Sequence, residues 1–451
     1  MQKLFTEFTA TTAAQWKEEL VNDLKGIDYN TLVWKTNSGI DVQPFYTKEN
    51  LSSTPKPLFI HTDWDICEHI VVTDAKKANE QALKALEGGA SGLVFYIHQK
   101  IDTDTLIKNI SLEHIYTQFF INLQSLHILT DLKAESSKTN PHDGKQKCFV
   151  TIDPLCFFSF NGGWHNSVEN DLSILKQLSH IPVNTGLYQE AGANTVNEVA
   201  IGLSHLNEYL NYLNSALSLK NQTLHFSVSV GSDFFMEIAK LRAYRKLIAL
   251  VFKEYNISLP IHIHAQTTQI NTSSLDSYNN MLRTTTEAMS AVIGGCDSLN
   301  VLPFTNGFDT ATDFSSRMAR NQQLILKEES YLNKSSDISA GSYYIETLTD
   351  SIAEKAWEQF KVIETKGGFI ACMKTNFIQN LISKDAEVLI EQLKEGKIVL
   401  VGVNKFQNAK EEIKLKTIGQ KNEKPTEIKK ITPIRLAESF ENNKIKQPLS
   451  N

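Results

Sequence analysis

Short runs of alternating or wholly apolar residues recur through the middle of the chain. They are PLFIHT (57–62), GLVFYIH (92–98), IYTQFFINL (115–123), CFVTID (148–153), PVNTGLY (182–188), LHFSVSV (224–230), PIHIHAQ (260–266) and DSLNVLP (297–303). Each has the length and the β-branched or aromatic content of a strand. Most stretches between them repeat apolar residues every three or four positions, as in DAKKANEQALKALEGG (74–89) and NTVNEVAIGLSHLNEYLNYLNSAL (194–217), which predicts helices. Strands alternating with helices build parallel βα units, and eight of them over roughly 250 residues is the arithmetic of a (β/α)8 TIM barrel. An open doubly wound sheet is the alternative. No GxGxxG follows a strand, which weakens its dinucleotide-binding version.

The flanks read differently. Residues 1–45 form an arm, in which Thr11 or Thr12 caps a helix through AAQWKEELVNDLKG that stops at Gly26. Trp16, Leu20 and Leu24 make a narrow apolar stripe that needs a surface to cover, on its own domain or on a partner. Residues 46–400 are assigned to the barrel and its C-terminal helices, with Gly341 at a tight turn between two of those helices. Residues 401–451 are assigned to an extended tail. From Lys405 onward the tail is Asn- and Lys-rich with a balance of +5, which predicts a solvated, loosely ordered strap.

The 451 residues carry 45 Lys+Arg against 51 Asp+Glu. A net charge of -6 argues against a chain-wide nucleic-acid surface. No apolar run approaches the ~20 residues of a membrane span, and the start lacks the pattern of a secretory signal. The five cysteines are scattered without CxxC spacing, so neither a disulfide framework nor a structural zinc site is indicated, and a reducing cytoplasm is the default compartment.

Candidate chemistry is sparse. His262 and His264 share one face of a strand and have the spacing of a metal-binding pair, but further ligands are not evident. Cys148 and Cys156 sit among aromatics and read as buried thiols. The glycine pairs at 88–89, 162–163, 294–295 and 367–368 lack the Lys-Ser/Thr of a P-loop and read as helix ends and turns. In LHFSVSV, His225, Ser227 and Ser229 share the face opposite to the apolar one. That face points to a small, polar barrel axis, holding water or a ligand, or else side chains that satisfy one another.

Longer segments are more specific. QEAGA (189–193), FFMEIAKLRAYRKL (234–247), HAQT (264–267), SYNNMLRTTTEAMSAVIGGCDSL (277–299), SSRMARNQQLILKEES (315–330), AGSYYIETLTD (340–350) and VGVNKF (401–406) together resemble the barrel domain of the methylmalonyl-CoA mutase family. DLKGIDYNTLVWKTNSGIDVQPFYTKENL (23–51) resembles the opening of that family's small subunit. The resemblance implies a (β/α)8 barrel. In the catalytic subunit a CoA thioester threads the axis, and adenosylcobalamin on a separate domain caps the mouth for a radical rearrangement of methylmalonyl-CoA to succinyl-CoA.

Set against the family pattern, several reactive positions differ. A Tyr-His pair before the QEAG-like motif is replaced by Gly186 and Leu187, which can neither screen a radical nor hydrogen-bond a thioester carbonyl. An Arg-Gln-Tyr run after the first strand is replaced by Cys67, Glu68 and His69, a substrate arginine aligns with Thr223, and IDPLCFFSFNGGW (152–164) stands where a substrate Gln and Arg are carried. His264 and Gln266 of the HxQT element are kept, and are the candidate substrate-binding residues, as relics. No DxHxxG cobalt-ligating signature occurs in the sequence, and PIRLAESFE (433–441) resembles the lead-in to the cobalamin domain. The expectation is therefore a non-catalytic small subunit, with no catalytic, cofactor-binding or metal residues of its own. It would pair with a large catalytic subunit that holds adenosylcobalamin. The alternatives are the substrate-binding subunit of a split acyl-CoA mutase, or an acyl-CoA-binding or metal-dependent barrel protein.

Overall fold

Ten strands form. A two-stranded antiparallel hairpin in the arm pairs β1 (Trp34–Lys35) with β2 (Asp41–Val42). The other eight are β3 (Asp65–Val72), β4 (Gly92–Ile97), β5 (Tyr116–Ile121), β6 (Cys148–Thr151), β7 (His180–Asn184), β8 (Thr223–Val230), β9 (Ile261–Thr267) and β10 (Ser298–Asn300). This architecture is a computed structural model, which describes residues 9–51, 54–138, 147–213, 222–408 and 425–446, together with Glu7 and Leu219. The eight strands run parallel in the order β6-β5-β4-β3-β10-β9-β8-β7, so the first barrel strand lies beside the last. The result is a nearly closed (β/α)8 barrel. Among the described residues β6 and β7 share no ladder.

Period-two alternation divides the strand side chains into two cores. Outward-facing Ile70, Phe95, Phe119, Ile181, Phe226, Ile263 and Leu299 join one large cluster with the surrounding helices. Inward-facing Cys67, Val94, Tyr116 and Phe149 form a separate cluster inside the barrel. The helix Phe234–Glu254 carries the FFMEIAKLRA segment, and its charged residues explain why that segment is specific. Lys240 and Arg242 are fully buried. Arg242 pairs with Asp337 and donates from Nη2 to Glu346 Oε1 at 2.7 Å, which ties helix Tyr343–Thr365 and the turn before it to the barrel.

The open seam is closed by a side chain. Asp153 caps the helix Pro154–Asn161 just past β6, where Cys156 N donates to its Oδ1 at 2.8 Å. Its Oδ2 accepts from the backbone N–H of Asn184, at the end of β7, at 2.8 Å. Tyr209 Oη and His205 Nε2, from helix Thr195–Leu213, lie 2.5 and 3.1 Å from Oδ1. One carboxylate thus substitutes for the missing ladder.

Three sequence expectations need correction. PLFIHT is not a strand; the first barrel strand is DICEHIVV. Glu68 on its outer face broke the apolar pattern, yet it is buried and bonded to Arg320 Nη1 at 2.8 Å. Cys67, Glu68 and His69 therefore lie within the first strand, not after it. PVNTGLY is only half a strand, because Gly186–Glu190 turns into a short helix.

The third correction concerns the tail. Its segment 425–446 is docked, while residues 409–424 and 447–451 of the expected strap lie outside the described residues. Ile428, Ile431, Ile434 and Leu436 donate their backbone N–H groups to the carbonyls of Gly162, Ser159, Glu190 and Ile270, at 3.1, 2.8, 2.8 and 2.8 Å. Ile428 and Ile431 are buried in the main core. Gly162 sits at φ 77°, and a Cβ there would stand 2.8 Å from Thr426 Cβ, so only glycine lets the strap pass. Average polarity concealed a few apolar anchors at the right spacing.

The arm helix forms as expected, Ala13–Asp23, with Thr12 and Gln15 in a capping box. It buries none of its residues, and Trp16 meets Phe45 with ring centroids 4.7 Å apart. The glycine pairs fall at helix ends, as at Gly88–Gly89 after the helix Ala75–Glu87.

Candidate functional site

The barrel axis is where the sequence placed its candidate residues, and the structure brings them together there. His264 and Gln266 on β9, with His225, Ser227 and Ser229 on β8, face inward from adjacent strands in register. His225 stands beside His262, and Ser227 beside His264.

Aromatic rings fill the lower half of this axis. Tyr116 from β5 stacks on His262 with centroids 5.0 Å apart and planes 7° from parallel. His262 stacks in turn on His225 at 5.0 Å. Phe149 from β6 packs on His225 at 4.5 Å and meets His180 edge-on at 5.2 Å. Tyr116, Phe149, His180 and His225 are each at most 1% exposed. Higher up, His69 packs tilted against Tyr96 at 4.5 Å, and Tyr96 stacks on Phe120 at 5.0 Å. The axis is a packed core, the ordinary state of a barrel interior, but built of rings instead of branched aliphatics.

Hydrogen bonds lock the rings. The Tyr116 hydroxyl donates to Gln118 Oε1 at 3.0 Å and lies 2.8 Å from His225 Nε2, which therefore carries the proton. Gln118 Nε2 donates to Thr151 Oγ1 at 3.2 Å. The Ser298 hydroxyl stands between His262 Nε2 (2.9 Å) and His264 Nδ1 (2.8 Å), and it donates to one and accepts from the other. Gln266 Oε1 accepts from Tyr96 Oη at 2.8 Å and from Asn300 Nδ2 at 2.9 Å. The two serines of β8 do not pair with His225: Ser229 Oγ donates to Glu190 Oε1 at 3.1 Å, and Ser227 Oγ has no partner.

Burial keeps these imidazoles neutral. His180 and His264 are each pushed down to about 3, first by burial and then by the neighbouring His262. His225 moves in the same direction, again from burial with His262, His180 and His264 beside it. Both ring nitrogens of His180, His225 Nδ1 and His264 Nε2 lack hydrogen-bond partners. The rings stack face to face or edge to face and do not converge on a point. Among the described residues no three His, Cys, Asp or Glu side chains are grouped to hold a metal ion. Cys148 is buried and Cys156 partly so, and burial raises the Cys156 thiol well above its ordinary range.

At the mouth, Gly186 opens the helix Gly186–Glu190 just after β7. A Cβ on it would stand 2.9 Å from Ser229 Oγ and 3.2 Å from Asn184 Oδ1. A larger side chain at 186 must push aside the Ser229 hydroxyl and the Asn184 amide. Leu187 points into the main core. Thr223 opens β8 at the opposite end, half-buried. The strap crosses above, bonded to Glu190 over β7 and to Ile270 after β9, and Arg435 Nη1 donates to the buried Glu441 Oε1 at 3.0 Å.

Sequence reasoning put His264, Gln266 and the β8 face on what prove to be inward-facing strand positions, but missed Tyr116, Phe149, His180 and Asp153. The period of CFVT, which puts Phe149 and Thr151 on one face, carried a signal for Phe149. His180 lay two residues outside the expected strand.

A methylmalonyl-CoA mutase family profile matches residues 89–451. The chain is 35% identical over 444 residues to a protein of Porphyromonas gingivalis named methylmalonyl-CoA mutase small subunit, covering 90% of this chain and 71% of that one. It is 28% identical to a methylmalonyl-CoA mutase of Rhizobium meliloti, over 98% of this chain and 70% of the relative. Against the mitochondrial methylmalonyl-CoA mutase of Homo sapiens the identity is 26%, over 93% of this chain and 64% of the relative. With the parallel barrel, the HxQT strand and the buried FFMEIAKLRA helix in place, the chain belongs to the methylmalonyl-CoA mutase family.

Proposed function

We propose that this chain is a non-catalytic small subunit of an adenosylcobalamin-dependent mutase, and that a larger partner carries out the isomerisation of methylmalonyl-CoA to succinyl-CoA. The observation that carries this reading is the filled axis. A radical rearrangement needs a dry cavity shaped to the reacting thioester. Here Tyr116, Phe149, His180 and His225 occupy the space a pantetheine arm would need, and each is at most 1% exposed. Gly186 supplies no side chain to the mouth, and Ser229 fills the space beside it. These residues do not fit an acyl-CoA ester, so no catalytic step is assigned to them. His264 and Gln266 serve the network that holds the rings in place.

In this reading adenosylcobalamin belongs to the partner. The arm supplies part of the contact surface: Val21, Ile27, Leu32, Trp34 and Phe45 are exposed apolar side chains within a short stretch of chain. No helix among the described residues is long and apolar enough to cross a membrane.

The test is co-expression with the larger mutase subunit from the same genome. A stoichiometric complex is expected, with turnover that survives Tyr116→Phe in this chain. The isolated chain, supplied with adenosylcobalamin and a free cobalamin-binding domain, should give no succinyl-CoA and no saturable binding of methylmalonyl-CoA. Turnover by the isolated mixture, or failure to associate across salt conditions, overturns the reading.

A further inference from the structure

A cavity of about 530 Å³ lies beside the mouth, away from the axis. Its walls come from the turn of the β1–β2 hairpin, the loops after β8 and β9, and the helices Thr195–Leu213 and Phe377–Lys394. Nothing in the proposed function uses it.

The inner wall is acidic. Glu198 and Glu237 lie on it, 1% and 6% exposed, and Asp233 and Asp385 add two further carboxylates. One cation serves the buried pair: Lys240 Nζ is 2.9 Å from Glu198 Oε2 and 2.6 Å from Glu237 Oε2, and it also donates to the Ser229 carbonyl at 2.8 Å. The other wall cations, Lys35 and Lys397, are exposed, and Lys397 is paired with Glu395 at 2.6 Å.

Two buried acceptors on this wall have nothing to accept from. Glu198 Oε1 has no hydrogen-bond partner. Asn271, 5% exposed, commits its amide nitrogen to Glu287 Oε1 at 2.6 Å, and that leaves its Oδ1 as an unpartnered end. Orphaned buried acceptors are rare in folded proteins and ask for a donor. Burial also lifts the Glu198 carboxyl to about 8, against the pull of Lys240, so a second cation beside Oε1 would shift it towards its ionised form. Both orphans are acceptors, the wall is negative, and the space exceeds that of a bare ion. Among the described residues no three ligand side chains converge on a metal position.

We propose that this cavity binds an organic cation through its N–H donors, a primary ammonium or guanidinium group, carried either by a free small amine or by a side chain of a protein partner. Glu198 Oε1 and Asn271 Oδ1 accept from it, and Glu237 and Asp233 supply the field. The site stands whichever function the barrel serves.

Agmatine, which carries both groups, is the probe, titrated calorimetrically into the full chain at fixed ionic strength with potassium chloride as the blank. Saturable binding is expected, weakened at least about ten-fold by Glu198→Gln and unchanged by Glu80→Gln, an exposed carboxylate outside this cavity. If Glu198→Gln does not fold, Asp233→Asn, exposed at the rim, carries the same comparison. Repetition on the complex with a larger subunit separates the two sources. Retained binding there identifies a free amine, and loss identifies a partner side chain. No heat beyond the salt blank, or equal affinity in wild type and the cavity variants, overturns the proposal.

Discussion

Asp153→Ala is expected to lower the stability of the isolated chain by about 3–5 kcal/mol, the range for removing a buried, fully bonded charge. The carboxylate is 6% exposed and gathers donors from four places: the N–H of Cys156, the N–H of Asn184, the Tyr209 hydroxyl and His205 Nε2. Alanine leaves all four without this acceptor, and each donor stranded in the interior costs about 1–3 kcal/mol before relaxation. It also removes the strut across the one seam that lacks a ladder, so the loss concentrates where β6 and β7 part. Asp153→Asn keeps an acceptor but introduces a donor among donors, and it should cost roughly half as much. Urea unfolding of the three proteins measures the differences. An alanine variant within about 1 kcal/mol of wild type would show that packing of the flanking helices, not the side chain, holds the seam.

Much of the barrel was legible because a parallel barrel writes itself in a simple alphabet. Seven strands carry apolar outer faces that meet helices, and their alternation survives in the sequence. The eighth was concealed by Glu68, whose charge is neutralised by Arg320 from a helix some 250 residues downstream. Pairing over that distance leaves no local trace, so PLFIHT, more apolar and only a few residues upstream, drew the assignment. The strap failed for the opposite reason. Its composition is polar, but four backbone N–H groups and two isoleucines decide its position, and composition weighs neither.

The axis shows the same limit. The β8 face, small and polar, suggested water or a ligand, because a strand pattern reports one wall and not what the opposite wall projects. Tyr116 and Phe149 come from β5 and β6 across the barrel and pack against His225 and His262. The departures at Gly186 and Leu187 were legible only through the family resemblance. At Gly186 the Ser229 hydroxyl stands 2.9 Å from where a Cβ would be, a contact that no single strand pattern reports.

His180→Leu is expected to stabilise the protein, and more so in acid. His180 is 1% exposed with both ring nitrogens unpartnered. Leucine is close in volume, removes two orphaned polar atoms and gives up an edge-on contact with Phe149, for a net gain of about 1 kcal/mol at pH 7.5. The acid component follows from linkage. The folded imidazole is held down to about 3 against an ordinary 6.5, so it stays neutral where the unfolded chain takes up a proton. A depressed folded value means stability that is whole above pH 6.5 and lost as pH falls towards 3. At pH 5 the loss is about 2 kcal/mol, which leucine escapes, and the advantage of the variant should widen to about 3 kcal/mol. Glu190 and Glu287, lifted by burial to about 7 and 8, act in the opposite sense and strengthen the fold as pH falls towards 4.5. They do so equally in both proteins and cancel in the difference. Urea unfolding of wild type and variant at pH 7.5 and 5.0 gives four numbers. A gap between the proteins that stays constant across that interval would mean that the lumen is wet enough to protonate His180, and that the axis is not the packed core on which the assignment of function rests.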